Sequence, residues 1–277
     1  MSWTFVAGMT AVAVVAMVVM LACTRWGVAT SSDSARYVRT ARHILGTEPV
    51  VESHESKHEQ AHYPPVYPMA LAAAGWMTRQ DPLAAARVLH AAIFAANALL
   101  AALLVRRAGG AVWAAVLAAA IVVVSPVTIT THAWLLSEAL FISLAFATIL
   151  LVCMYLDRPR IVVLIAAAVA TSLGMLTRYA GAALGPAVVL TILLNGRARR
   201  RTTRGAERSE ALDSPRREMR SIAHIDPSIH QRARRRWIDA AVFSAVALAL
   251  PVAWFARNLG IGGSATNRTF AFHPISL

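Results

Sequence analysis

An acid follows the first apolar stretch of this chain, in Ser31-Ser32-Asp33-Ser34-Ala35-Arg36-Tyr37, and a proline-rich run, Tyr63-Pro64-Pro65-Val66-Tyr67-Pro68, comes after it. A carboxylate held at the mouth of a membrane bundle can take a proton from a hydroxyl beside a lipid-borne substrate. Ser32 or Asp33 can cap a helix that runs to about Leu45, with Gly46 as its stop. Three-and-four spacing puts Asp33, Arg36 and Tyr37 on one face of it. Tyr37, Ala41, Ile44 and Leu45 form an apolar face, and Arg36, Arg39, Thr40 and His43 a polar one, so the helix is expected to lie in the membrane interface. The helix start and the nearby arginine favour negative charge at Asp33. The plainer account of Asp33 is an N-cap and nothing more.

Glu138 is the second acid. In Trp134-Leu135-Leu136-Ser137-Glu138-Ala139-Leu140-Phe141 it is expected about one turn inside a span, a depth at which acids face a cavity or a partner. It is a candidate catalytic group, or it pairs with Arg178 or His132 to hold helices together. Arg178 and Arg257 fall at expected helix ends. Arginines there either snorkel to headgroups or clamp a phosphate through paired N–H donors. Trp254 stands one turn below Arg257 as an aromatic anchor. His58-Glu59-Gln60-Ala61-His62 matches the zinc-protease pattern, with His54 upstream. Its helix would lack an apolar face and would end at once at Tyr63-Pro64-Pro65, so chance is the better account and no metal ligands are assigned.

These residues need an apolar frame. The chain is 57% hydrophobic and 15% charged, with mean hydropathy +0.55, which excludes an ordinary soluble domain. Apolar spans are expected at 5–23, 84–105, 111–130, 134–155, 161–177, 180–194 and 238–256, giving an all-α integral membrane fold of about seven helices in one polytopic domain, 1–277. The segment 161–194 reads as two spans or as one broken span. Pro64, Pro65 and Pro68 forbid a regular helix, with a short half-buried helix expected over Met69–Met77. Cys23 and Cys153 lie in apolar spans and make no disulfide framework.

The formal net charge of +13 suggests nucleic acid, but thirteen arginines among five acids crowd into the stretch from Arg197 to Arg236. The rest of the chain has no basic face for a phosphate backbone, so a nucleic-acid partner is excluded. Arg106-Arg107, Arg158, Arg160 and the loop 196–237, read as disordered, fall on one side, which the positive-inside rule makes cytosolic. The loop 25–82, with the candidate catalytic residues, is then external. Alanine-rich composition with a single lysine, Lys57, suggests a GC-rich bacterium, and so a multi-pass protein of its plasma membrane.

Taken in order along the chain, these motifs resemble those of the polytopic GT-C glycosyltransferases, nearest to the bacterial protein-mannosyltransferase and aminoarabinose-transferase type of glycosyltransferase family 39. The resemblance spans nearly the whole chain. It rests on Asp33 with Tyr37, the Tyr63–Pro68 run, Ser137 to Phe141, Leu176-Thr177-Arg178-Tyr179-Ala180-Gly181, and Trp254 to Asn258 followed by Gly263. It implies transfer of a sugar from a polyprenyl-phosphate carrier to a lipid or glycan acceptor on the outer face, usually with inversion, and Asp33 as the base. Two positions depart from the family. Ser34 stands where many relatives carry a second acid, and Tyr63 where some carry lysine. Phosphate recognition then falls to Arg36, Arg178 or Arg257, with Tyr37 and Tyr63 beside the substrate. The cofactor stays open, a divalent metal included. Relatives usually add helices, so the chain reads as a minimal enzyme, a truncated product or an inactive remnant. The alternative functions are a transporter or flippase of a lipid-linked intermediate and a non-catalytic membrane protein.

Overall fold

The computed structural model describes residues 3–48, 63–194 and 228–262. The His58–His62 motif, residues 196–227 of the basic loop and Gly263 lie outside the described residues, while 228–237, expected as disordered loop, are helical and continue into the last apolar span. The described chain is helical: α1 (Trp3–Cys23), α2 (Ser32–Ile44), α3 (Val66–Thr78), α4 (Pro82–Arg107), α5 (Val112–Val124), α6 (Pro126–Ala133), α7 (Glu138–Asp157), α8 (Ile161–Met175), α9 (Tyr179–Leu194, opening as a 3-10 turn) and α10 (Ser228–Gly262). An isolated parallel bridge pairs Ala29 with Trp134.

Among the described residues four helices, α1, α4, α7 and α10, are long and apolar enough to cross a membrane. In lipid a backbone must satisfy its own polar groups, and an uninterrupted helix does so within one segment. A fifth candidate is α5 with α6, bent by 57° at Ser125–Pro126. The expected 111–130 span is therefore broken. Pro126 has no N–H to give, and Thr128 Oγ1 donates to the carbonyls of Val122 and Ser125, two groups beside the break. The span expected at 134–155 begins instead at Glu138, because Trp134 and Leu135 are drawn into the bridge. Leu135 N donates to Ala29 O at 2.8 Å, and Ala29 N to Ala133 O at 2.8 Å. The segment 161–194 forms two apolar helices, each shorter than the roughly 20 residues a bilayer core requires.

A tight turn separates α8 from α9. A Cβ on Gly181 would meet Gly174 O at 2.6 Å and Gly174 C at 2.7 Å, so only glycine lets the two backbones approach this closely. Val188 and Ile192 of α9 join Leu164, Ala167 and Ala168 of α8, together with Tyr155 of α7 and Phe243 of α10, in one apolar cluster. A second cluster joins α1, α4 and α5 through Met9, Met20, Phe94, Ala98 and Ala119. The central helix is α4, which packs against α1, α2, α3, α5, α6 and α7. Asp81 caps it by accepting from Leu83 N at 2.9 Å, with Pro82 in its first turn and Arg106 and Arg107 in its last.

Contacts sort the chain ends into two groups. At one end Arg87 reaches Leu21 O, Val66 N donates to Leu176 O, and Arg178 pairs with Glu138. At the other, Arg106 lies over Phe5, Arg107 pairs with Asp157, and Tyr155 donates to Asp239.

Candidate active site

The site is built at the first of these ends. Ser31 is the N-cap of α2, in place of the expected Ser32 or Asp33. Its side chain accepts from Ser34 N at 3.4 Å, and Ser34 Oγ accepts from Ser31 N at 2.9 Å, a reciprocal capping box. Ser34 Oγ also donates to Leu135 O at 2.7 Å, tying the start of α2 to the segment before α7. Because serine does the capping, the carboxylate of Asp33 is released from that task. Gly46, at φ +70°, ends the helix as expected.

The apolar face expected to lie on lipid is used inside the protein. Tyr37, Val38 and Ala41 are buried with Tyr67, Leu71 and Ala72 of α3, while Ile44 stays exposed. At its far end α2 is pinned to α4 by Arg42, whose Nε donates to Asp81 at 2.7 Å and Nη2 at 3.1 Å. That bond is the main cause holding the Asp81 carboxyl below its ordinary value. The helix expected over Met69–Met77 is α3, Val66–Thr78, longer at both ends.

Asp33, Arg36 and Tyr63 form one unit. Tyr63 Oη donates to Asp33 Oδ1 at 2.7 Å and accepts from Arg36 Nη1 at 2.8 Å, and the Arg36 guanidinium lies 5.6 Å from the Tyr63 ring centre. Burial raises the pKa of Tyr63, and its bond to Asp33 raises it further, so the phenol remains a donor at neutral pH. Tyr37 packs edge-on against both Tyr63 and Tyr67, with ring centres 5.2 and 4.9 Å apart. Its hydroxyl lies 3.4 Å from Ser137 Oγ, next to Glu138. Burial raises its pKa, and the charges of Asp33 and Glu138 add to that.

Glu138 is the first residue of α7, not one turn inside it. Its Oε1 pairs with Arg178, one of the two partners the sequence offers for a structural role, while Oε2 is shielded from solvent without a hydrogen-bond partner among the described residues. Arg178 is the N-cap of the 3-10 turn that opens α9. Arg257 lies farther along the same end. Its guanidinium is 4.9 Å from the Trp254 ring centre and its Nη1 donates to Asn258 Oδ1 at 3.3 Å. The rings of Phe255 and Tyr179 are 6.0 Å apart, which joins the last turns of α10 to Arg178. All seven residues singled out in the sequence thus gather at one end of the bundle. Among the described residues no group of three or more His, Cys, Asp or Glu side chains is arranged to hold a metal ion.

Residues 62–206 match the model of the dolichyl-phosphate-mannose-protein mannosyltransferase family. The chain belongs to this family. It is therefore a GT-C type membrane glycosyltransferase, of a group that takes sugars from polyprenyl-phosphate donors. No curated protein and no solved structure matches the chain. The family match includes Tyr63, Glu138 and Arg178, while Asp33, Arg36 and Tyr37 precede it and Arg257 follows it.

One feature of the site end escapes the motifs. His90 and Asn97 lie seven residues apart on α4 and are buried with Tyr67 and His132. Their signal is in the sequence all the same, as polar residues two turns apart on one face of an apolar span.

Proposed function

We propose that this mannosyltransferase-family protein transfers a sugar from a polyprenyl phosphate to an envelope lipid or glycan acceptor at the outer face of a bacterial plasma membrane. Asp33 is the general base. It removes the proton of the acceptor hydroxyl, whose oxygen attacks the anomeric carbon as the bond from that carbon to the phosphate oxygen breaks. Polyprenyl phosphate leaves with the bonding electrons, and attack from the opposite side inverts the anomeric centre. Arg178 and Arg257, with Arg36, stabilise the negative charge that grows on the departing phosphate. Tyr37 and Tyr63 line the sugar, and Glu138 offers its unused oxygen to a substrate hydroxyl while it orients Arg178.

In this reading α8 and α9 each cross the membrane, which brings the total to seven crossings in one domain. The loop 25–82 then faces outward with α2 in the interface, and the stretch 196–237, whose last part opens α10 at Ser228, is cytosolic. The arginines of the opposite end favour that orientation. The observation that carries the proposal is the hydrogen-bonded unit of Asp33, Tyr63 and Arg36, a carboxylate and a guanidinium held on one phenol, joined through Tyr37 to Ser137, the neighbour of Glu138 in the Glu138–Arg178 pair.

Asp33→Asn keeps the side-chain size and an acceptor for Tyr63 but removes the base. At equal membrane abundance it should lower transfer of radiolabelled sugar from a panel of polyprenyl-phosphate donors by about a hundredfold. Full activity in Asp33→Asn moves the base elsewhere, with Glu138 next in line.

A further inference from the structure

A run of buried polar groups leads from inside the helix bundle to the candidate site. The carbonyl of His132 can only accept, so the contact of 2.6 Å to His90 Nδ1 places the hydrogen on that nitrogen. Nε2 of His90 is then left to accept the Tyr67 hydroxyl, 2.8 Å away. By the same logic His132 Nδ1 donates to Thr128 O at 2.7 Å, and its Nε2 accepts from Asn97 Nδ2 at 2.8 Å. Asn97 Nδ2 also donates to Ala139 O at 3.1 Å, and Ser143 Oγ donates to Asn97 Oδ1 at 2.7 Å, which fixes the orientation of the amide.

Polar side chains at this depth are costly unless they are paired, and apolar residues of similar size would fill the same space without that cost. A satisfied network instead holds its members in a single arrangement. This one ends on Tyr67, which is fully buried and meets the edge of Tyr37 with ring centres 4.9 Å apart. Tyr37 in turn contacts Tyr63, the partner of Asp33, and Ser137, the neighbour of Glu138.

We propose that the His90–Tyr67 hydrogen bond, braced by His132 and Asn97, is a positioning element that sets Tyr37 between Asp33 and Glu138 and so fixes the geometry of sugar transfer. The consequence for rate rests on the transferase reading, whereas the geometric coupling does not. Both are read on the full chain in lipid nanodiscs, with the five tyrosines labelled as 3-fluorotyrosine and assigned through single Tyr→Phe variants. His90→Asn retains a donor near the place of Nδ1 and deletes the acceptor for Tyr67. His90→Gln restores an amide near the place of Nε2.

In His90→Asn the fluorine lines of Tyr37 and Tyr63 should broaden or split while those of Tyr155 and Tyr179 stay in place, and His90→Gln should restore them in part. In transfer from the donor panel, His90→Asn should lower kcat by about tenfold or more with the donor KM unchanged, since a small misplacement acts on the reacting geometry. Unmoved Tyr37 and Tyr63 lines, all five lines shifting together with a lower Tm, or an unchanged kcat in an active enzyme would each overturn the proposal. Wild-type protein that transfers no sugar, with the Tyr37 and Tyr63 lines still responding, would reject the transferase reading and uphold the coupling.

Discussion

Tyr63 separates a carboxylate from a guanidinium that could otherwise pair directly. Asp33 and Arg36 are one helical turn apart, and the phenol donates to the first while it accepts from the second. Removing its hydroxyl in Tyr63→Phe should lower transfer by about tenfold, through a less well placed base. The pKa of Tyr63 lies above its ordinary value, through burial first and then through Asp33. Its donor role is therefore complete below that value and is lost only as pH rises through the raised one. Rate profiles of wild type and Tyr63→Phe measured between pH 5 and 9 should run parallel; a limb that disappears with the hydroxyl would contradict this. Arg178 is tested separately. Arg178→Lys keeps the charge but loses the paired N–H geometry, so donor KM should rise several-fold, and unaltered donor saturation would make Arg178 an ordinary anchor. At this scale the sequence is informative about residue types and weak about partners. Asp33 could be read as a cap because aspartate and serine both cap helices, and only the capping box of Ser31 with Ser34 shows which residue is used.

The elements that carry these residues depend on two narrow features. The first is the turn between α8 and α9, where a methyl group on Gly181 would lie 2.6 Å from Gly174 O. Backbone cannot move aside as a flexible side chain does, so Gly181→Ala should cost about 1–3 kcal/mol and displace Arg178, seen as a lower Tm together with a higher donor KM. The second is Asp81, which caps α4 and binds Arg42 of α2. Asp81→Ala should cost about 1 kcal/mol, chiefly through the lost cap. The carboxyl pKa is depressed, with Arg42 the leading cause, so its stabilisation is present above the ordinary aspartate value and disappears as pH falls through the lowered one. The Tm gap between wild type and Asp81→Ala should accordingly close in strong acid. Hydropathy locates α1 and α4 well, because an unbroken apolar run leaves few choices, whereas α10 begins at Ser228, ten residues before the expected span and inside the loop read as disordered. It misplaces the start of α7, because the bridge of Ala29 with Trp134 takes residues that are themselves apolar.

At the scale of the whole molecule the proposal commits the protein to one orientation. The end bearing Asp33 and Glu138 also bears Arg178 and Arg257, and the opposite end bears Arg106, Arg107, Arg158 and Arg160. With Cys23 and Cys153 replaced by serine, Thr47→Cys should react with an impermeant maleimide in intact cells, and Ala108→Cys only after permeabilisation. The reverse pattern would turn the protein over and remove the acceptor side from the proposal.

The sequence by itself determined that this is a helical membrane protein with polar residues at the ends of its spans, because burial in lipid forces long apolar runs and charge is tolerated only near their ends. It also marked Asp33, Glu138, Arg178 and Arg257, since charged groups stand out against such a background. Only the tertiary structure decided who partners whom. Tyr63 is thirty positions beyond Asp33, so no local spacing rule could join them, and for Glu138 the sequence left Arg178 and His132 as alternatives between which only the packing chose. The same holds for Tyr67, His90, His132 and Asn97. Their bonds exist because α3, α4, α6 and α7 pack around one point, and a polar group excluded from water must find its partner wherever the packing brings one.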